Sequence, residues 1–308
     1  MKIKLILILP LMPFVSIGQN PIEVDYVKNQ DNTLSFNFNK KNPGTYFLII
    51  DFKSLRNTES SKRQTKILKY NNGPLFKLKP NSANQQIEFQ WSYKYYKGNI
   101  NSKIKPNFKY ILPFKKGETV SPVELFSVEK VYFDSELPKG WKSYSFSFDE
   151  TKSVKAIRKG VVIDIKNNFE IDTLKIVDYY SNQNSISVEH KDGTVANYTG
   201  FNKNKINVKL GETVFPQTEL GELAKFDSRS LYRLYLSLSY YKTINGKSLN
   251  NINSSDDYKI LYLTPKFFQN GELIELKNGN NYKVQFDEKT LYKEMRKREI
   301  KKHKSSYL

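Results

Sequence analysis

The chain has 308 residues, and its 50 Lys and Arg outweigh its 31 Asp and Glu, which gives a formal net charge of +19. It has no cysteine, so disulfide bonds and cysteine-ligated metal sites are excluded. The lysines are scattered through predicted strands and loops without a nucleic-acid-binding motif, so we predict no nucleic-acid partner. The charge fits anionic envelope polymers or lipid headgroups, and a solvated lysine-rich surface is the simpler explanation.

Residues 1–18 have the pattern of a secretory signal peptide. Lys2 and Lys4 precede an apolar run from Leu5 to Val15, and small residues follow up to Gly18. The run is shorter than the about 20 apolar residues that span a bilayer, so no transmembrane segment is predicted. The alternative is an N-terminal core strand. With cleavage, the protein would be exported to the periplasm or the cell surface of a bacterium.

The rest of the chain alternates apolar and polar residues, which predicts an all-β fold in at least two domains. Residues 19–126 predict an N-terminal β-sandwich, immunoglobulin-like in shape, because short strands recur between turn clusters. Its predicted strands begin at Leu34, Thr45, Leu75, Ile87 and Tyr110. The aromatic residues Trp91, Tyr93, Tyr95 and Tyr96 predict either a carbohydrate platform or, more often for such residues, cross-strand packing.

Residues 127–265 contain four ordered motifs after a connector. The first is Val-Lys-Ala-Ile-Arg-Lys-Gly-Val-Val at 154–162. Two alternating runs then flank Asp192-Gly193, which predicts a hairpin. Residues 208–221 predict two short strands around a Gly-centred turn, and residues 231–240 place three leucines on one face of a strand.

In this order the motifs resemble those of the lysostaphin-type (LytM-like) zinc metallopeptidases. That family has a His-x-Asp/Asn-Gly hairpin, then Tyr-x-His-Leu, a Val- and Gly-rich segment, and finally His-Leu-His-Phe. The resemblance covers residues 143–241, under half of the chain. It implies a lysostaphin-like β-barrel or sandwich domain, built on a duplicated hybrid motif, at 127–265.

The zinc ligands of that family have no counterparts here. That family holds zinc with a His-x-x-x-Asp pair and the second histidine of His-x-His. The resemblance places Ser143 and Ser147 at the pair, and Arg233 and Tyr235 at the two histidines of His-x-His. It places Gly200 at the other catalytic histidine, that of Tyr-x-His-Leu. Catalytic zinc needs three His, carboxylate or thiolate ligands, and a guanidinium cannot ligate it. We therefore expect no metal, no cofactor and no catalytic residue.

The two histidines do not supply the ligands. His190 matches the hairpin histidine of the family, which does not bind the metal, and His303 lies in a basic tail. His190 is expected more often to cap the hairpin or make one hydrogen bond than to act as an acid–base group.

The old active-site groove remains a possible binding surface, with arginine for the carboxylates of stem peptides and tyrosine for stacking on sugars. The alternative is that Arg233 and Tyr235 fill the space of the metal, with Arg233 pairing an acidic neighbour. The residues expected to line or flank the groove are Arg158, His190, Tyr198, Arg233 and Tyr235.

The C-terminal part, residues 266–308, predicts a hairpin around Asn278-Gly279, a charged helix from Glu288 and a solvated basic tail at 293–304. It follows a polar surface loop at 245–257 and another strand.

The expected function is that of a non-catalytic cell-envelope binding or regulatory protein, with peptidoglycan or a cell-wall hydrolase as partner. The first alternative is an active zinc metalloendopeptidase that cleaves cell-wall peptides. The second is a structural module of a surface or secretion assembly. The sequence leaves the oligomeric state and the partner open.

Overall fold

A computed structural model describes residues 20–125, 142–170, 182–226 and 231–306. Strands dominate these ranges, which confirms the all-β class. No helix within them is long and apolar enough to span a bilayer. The predicted signal peptide and most of the predicted connector lie outside the described residues.

The N-terminal region forms two three-stranded antiparallel sheets. Its strands are β1 (Ile22–Lys28), β2 (Leu34–Lys40), β3 (Tyr46–Arg56), β4 (Arg63–Leu68), β5 (Asn72–Leu78) and β6 (Glu88–Lys97). One sheet has the order β1-β2-β5 and the other β4-β3-β6. Strands β1 and β4 were not predicted from the sequence, because their residues are mostly half-buried or exposed.

A single apolar core lies between these two sheets, which confirms the predicted sandwich. Phe36 of β2 meets Phe52 of β3 edge to face, with ring centroids 5.8 Å apart. The Trp91 ring lies 5.3 Å from Phe36 and stacks on Tyr93 at 5.7 Å. These contacts agree with the packing interpretation of the aromatic cluster.

The second region is organised around a ten-stranded sheet. Its main path runs β15-β12-β13-β14-β17-β10-β9, while β16 joins β14 to β11 and β18 pairs with β17. The strands from residue 109 to residue 243 are β7 (Lys109–Tyr110), β8 (Thr119–Val120), β9 (Pro122–Leu125), β10 (Ser143–Phe148), β11 (Ser153–Lys155), β12 (Gly160–Lys166), β13 (Asn184–His190), β14 (Val195–Ile206), β15 (Thr213–Val214), β16 (Glu219–Leu223) and β17 (Tyr232–Thr243).

The central hairpin of this sheet is the predicted one. β13 and β14 pair antiparallel around Asp192 and Gly193, and the Gly193 N–H donates to the carbonyl of His190. Leu234, Leu236 and Leu238 are fully buried on one face of β17, as the alternation predicts. These side chains belong to the largest apolar core of the molecule.

Residues 108–125, which the sequence analysis placed at the end of the sandwich, contribute to this second core. Phe108, Tyr110 and Phe114 are buried in it, and β9 adds to the large sheet beside β10. The predicted strand at 110–114 is only the two-residue β7, which runs parallel to a strand at Lys266–Gln269. The domain boundaries themselves stay predictions.

The C-terminal residues add four short strands and two α-helices. They form β18 (Tyr258–Tyr262), β19 (Lys266–Gln269), β20 (Glu272–Ile274), β21 (Tyr282–Lys283), α1 (Glu288–Leu291) and α2 (Lys297–Ser306), after 3-10 turns at Ile244–Gly246, Leu249–Asn251 and Ser255–Asp257.

Two expectations for this part were wrong. The hairpin turns at Asn270-Gly271, between β19 and β20, because the strand after Asn278-Gly279 pairs with β8 instead. The basic tail is also not simply solvated. His303 of α2 is buried, with its ring 5.7 Å from Tyr292.

Candidate functional site

One face of the large sheet carries the polar side chains of four neighbouring strands, and we call it the polar face. Directly paired residues project to the same side, so the register defines its members. They are Ser145, Ser147, Ser185, Ser187, Asn197, Thr199, Arg233, Tyr235, Ser237 and Ser239, most of them half-buried, with Ser145 buried and Ser147 exposed. The leucines of the apolar core lie on the opposite face of β17, so changes at Arg233 and Tyr235 leave the leucine contacts in place.

Arg233 lies at one end of the polar face, opposite Ser147 of β10. Its Nε donates to Ser147 Oγ at 3.2 Å, and its Nη1 donates to the Tyr235 hydroxyl at 3.2 Å. The guanidinium carbon stands 4.3 Å from the centre of the Phe226 ring, a cation–π contact. These contacts hold the guanidinium in place and leave part of it accessible on the surface.

The backbone at Gly200 excludes a side chain. Gly200 has φ +118°, and a Cβ at this position would overlap the carbonyl oxygen of Arg233. β14 pairs with β17 up to Thr199 and with β16 from Phe201, so Gly200 stands where the strand changes partner. The position that the resemblance gives to a catalytic histidine therefore cannot hold one without a change of the backbone.

The serine pair has no metal-binding chemistry. Ser147 is engaged by Arg233, and the buried Ser143 donates through its hydroxyl to the carbonyl of Leu236 at 3.3 Å. The side chains at the expected ligand positions are thus the hydroxyls of the two serines and the phenol of Tyr235. Within residues 20–125, 142–170, 182–226 and 231–306, no group of three or more His, Cys, Asp or Glu could hold a metal. This donor set does not fit zinc.

A cavity of about 300 Å³ lies at the other end of the polar face, against the sandwich. Ser187, Asn197 and Asp164 of the sheet line it, together with the rings of Tyr241 and Tyr262. The cavity is closed by Gly44, Thr45, Lys97 and Gly98 of the sandwich. Ser239, at the edge of the cavity, lies six positions after Arg233 along β17. At about 3.4 Å per residue, the two residues are about 20 Å apart.

The cavity is held by a contact between the two regions. The carboxylate of Glu189, at the end of β13, accepts the Thr45 N–H at 2.7 Å. Both residues are buried, so this hydrogen bond is not open to competition from water. The polar face therefore ends in a fixed pocket.

Arg158 lies elsewhere, which corrects the expectation that it borders the groove. It is 1% exposed, and its guanidinium is held by two carboxylates, at 2.9 Å from Asp192 and 2.8 Å from Glu294. Burial disfavours its charge, but the Glu294 hydrogen bonds and the surrounding negative groups prevail, so its pKa is raised. Arg158 also lines the base of a separate cleft, together with Asp192 and Glu294.

His190 and Tyr198 are also buried in the core rather than placed on the groove. Burial and the nearby Arg158 charge lower the pKa of His190 to about 4, so the ring is neutral at pH 7. Its Nδ1–H donates to the carbonyl of Lys159 at 3.0 Å. The Tyr198 hydroxyl accepts the Ile157 N–H at 3.0 Å, and burial raises the pKa of Tyr198. Both side chains have the hydrogen-bonding role of buried polar groups.

Of the five predicted groove residues, the polar face thus unites Arg233 and Tyr235, while Arg158, His190 and Tyr198 lie in the core. Sequence reasoning missed the polar serine and asparagine positions and the cavity. The signal that places Tyr198 in the core is the strand register. Tyr198 pairs with Leu236, so it lies on the same buried face as the leucines.

Comparisons with known proteins give little support for a family. No family model matches the chain, and no curated protein matches it. One solved structure that matches is titled "A Novel M23 Metalloprotease Pseudoalterin from Deep-sea". It is 18% identical, covers 57% of this chain and 98% of that chain, and has a TM-score of 0.33. A score this low does not define a common fold, so the metallopeptidase resemblance rests on the motifs.

Proposed function

We propose that this protein is a non-catalytic binding protein of the bacterial cell envelope, which holds an extended glycan or peptide of the cell wall on the polar face. The observation that carries the proposal is the path along β17, from the positioned guanidinium of Arg233 to the tyrosine-lined cavity. One end offers a cation for a carboxylate, and the other offers aromatic surface with hydroxyl and amide groups.

The length of this path suits a polymer segment. About 20 Å of polar strand surface accommodates a disaccharide with part of a peptide. Ligand pockets typically have volumes of about 300–1,000 Å³, so the cavity of about 300 Å³ is at the small end of that range and would take a single sugar ring or side chain. The net charge of +19 favours anionic wall material over neutral polymers.

A binding role fits the chemistry of this surface better than hydrolysis does. Hydrolysis by a zinc enzyme needs three ligands and an open coordination position. Gly200 has no room for a side chain, and Arg233 cannot ligate a metal. We thus propose a protein that retains a binding groove and does not use a catalytic zinc ion.

The test is co-sedimentation of the protein with purified peptidoglycan, comparing wild type with the double variant Arg233→Ala, Tyr235→Ala. A hydrogen bond to a charged group contributes about 1.5–3 kcal/mol, so we expect binding to weaken by at least tenfold. The melting temperature should barely change, because both side chains lie opposite the leucine core.

The matched control is Arg56→Ala, Tyr70→Ala, which removes the same residue types from exposed positions of the sandwich. It should bind as wild type does. If the control loses binding and the groove variant keeps it, contact is made by the sandwich and the protein is a structural module. Release of soluble wall fragments by the wild-type protein with zinc would instead support the endopeptidase.

A further inference from the structure

We infer that a second site, lined by a different set of residues from the polar face, binds a small and multiply phosphorylated ligand. A cleft of about 370 Å³ lies where the sandwich meets the hairpin of β13 and β14. Four lysines line it: Lys69, Lys103, Lys105 and Lys191. This site is distinct from the polar face and does not depend on the proposed wall-binding function.

The four lysines form a concentration of uncompensated charge. All four are exposed, and none of their ammonium groups makes an ion pair or hydrogen bond within the described ranges. By contrast, the nearby Lys159 forms an ion pair with Glu299 at 2.7 Å. Like charges that share a cleft destabilise one another, and an anion between them would remove that repulsion.

The base of the cleft does not cancel this charge. Arg158, Asp192 and Glu294 line it, and their two carboxylates already bind the single guanidinium. With the four lysines, five cations face two anions, an excess of three positive charges. A ligand with several negative charges would complement the cleft.

The excess of charge favours phosphate over carboxylate. A guanidinium binds a carboxylate or a phosphate through two parallel hydrogen bonds, whereas a lysine binds an anion as a point charge. Arg158 has no free edge for that geometry, since Nε, Nη1 and Nη2 already donate to carboxylates. A phosphate carries about 1.5–2 negative charges at pH 7, so two of them match the excess.

The side chains that line the cleft are mostly polar at their tips and can form hydrogen bonds. Among the described residues that line it, Ile67 is the one apolar side chain and none is aromatic, so a nucleobase would have no ring to stack on. The buried Asn99 uses its side-chain oxygen to accept the Asn101 N–H at 3.1 Å. Its amide nitrogen makes no hydrogen bond in the described part of the chain and lines the same cleft. A phosphorylated sugar or a short polyphosphate fits these features.

The two walls are in contact, so the backbone segments that carry the lysines are held in place before any ligand binds. The Lys105 N–H donates to Asp192 at 3.3 Å, and the Ser102 hydroxyl, which donates to the carbonyl of Asn99 at 2.6 Å, packs against Gly193. A Cβ on Gly193 would overlap Ser102, so the segment that carries Lys103 packs tightly on the hairpin that carries Lys191. Such preorganisation lowers the cost of binding.

The experiment is isothermal titration calorimetry of the full chain with inorganic tripolyphosphate. We expect one saturable site per chain, weakened at least tenfold in the variant in which Lys69, Lys103, Lys105 and Lys191 are all Gln. The control carries Lys→Gln at Lys28, Lys53, Lys209 and Lys259, four exposed lysines away from the cleft, and so has the same net charge. It should bind within twofold of wild type.

Further titrations separate the ligand classes. Fructose 1,6-bisphosphate tests a phosphorylated sugar, and tighter binding than that of tripolyphosphate would identify the sugar as part of the ligand. Citrate tests carboxylates. Equal weakening in both lysine variants, the absence of a saturable site, or citrate binding at least as tightly as tripolyphosphate would each overturn the inference.

Discussion

Glu294 binds the guanidinium of Arg158 through both carboxylate oxygens, at 2.9 Å from Nε and 2.8 Å from Nη2, across 136 residues of sequence. Asp192 takes the remaining Nη1 at 2.9 Å, and Phe108 covers the group at 3.7 Å. The segment between α1 and α2 is thereby attached to the central hairpin. A charge in the core is satisfied by residues from three distant parts of the chain.

The first prediction concerns this ion pair. Glu294→Gln removes the negative charge and leaves Arg158 buried with one carboxylate. Loss of one partner of a buried pair costs about 3–5 kcal/mol, so we expect the free energy of unfolding in urea to fall by about 3 kcal/mol. The matched control Glu288→Gln breaks the exposed pair with Lys304 and should change it by less than about 0.5 kcal/mol. Equal effects of the two changes would contradict the role of the pair.

The second prediction concerns the backbone at Gly200. Gly200→Ala places a Cβ against the Arg233 carbonyl, whereas Gly117→Ala, at φ +96°, has nothing within 4 Å. Both variants carry the left-handed penalty of about 1–2 kcal/mol, so their difference reports the overlap. We expect Gly200→Ala to be less stable than Gly117→Ala by about 2 kcal/mol or more in urea unfolding. Equal stabilities would show that the backbone has room for a histidine.

The third prediction concerns pH. The pKa of His190 is about 4 in the folded protein, below its ordinary value of 6.5, because of burial and the Arg158 charge. Between these values the unfolded chain binds the proton and the folded one does not, so stability falls as the pH falls from 6.5 to 4. The total loss is about 3 kcal/mol at about 1.4 kcal/mol per pH unit.

Urea unfolding at pH 7, 5.5 and 4.5 measures this slope. His190→Gln should make this slope shallower over that range, and a smaller slope should remain from His303, whose pKa burial also lowers. The pKa of Asp192 is also lowered despite its burial, which opposes the shift, because Arg158 and Thr194 favour its charge. Protonation of Asp192 also lowers the stability as the pH falls, but it does so below the ordinary pKa of 3.8, outside the pH range of these measurements. An unchanged slope in the variant would show that another group controls the pH dependence.

The fourth prediction concerns zinc. We expect the purified protein to hold much less than one equivalent by elemental analysis after dialysis against zinc. The variant Arg233→His, Tyr235→His should also fail, because the other two ligand positions that the resemblance implies are occupied by Ser143 and Ser147. One equivalent of zinc in the wild-type protein would contradict this prediction and support an active metallopeptidase.

The local alternation of residues determined the strands that matter most. The apolar period of two at 185–198 and 231–240 predicted the hairpin and the leucine face, since side chains of a strand alternate between two environments. The same reasoning placed Arg233 and Tyr235 together on the opposite face. These features depend on neighbours in sequence, and the sequence is sufficient for them.

Only the tertiary structure decided those features that depend on contacts between residues far apart in sequence. The alternation of residues does not determine which strand pairs with β8. The sequence therefore predicts a hairpin at Asn278-Gly279, whereas the structure has the turn at Asn270-Gly271. Nor does the alternation say that Glu294 reaches Arg158, and without that carboxylate a buried arginine was not expected. Pairing across long separations depends on the packing of the whole core, and a charge is tolerated inside only where that packing brings it an opposite charge.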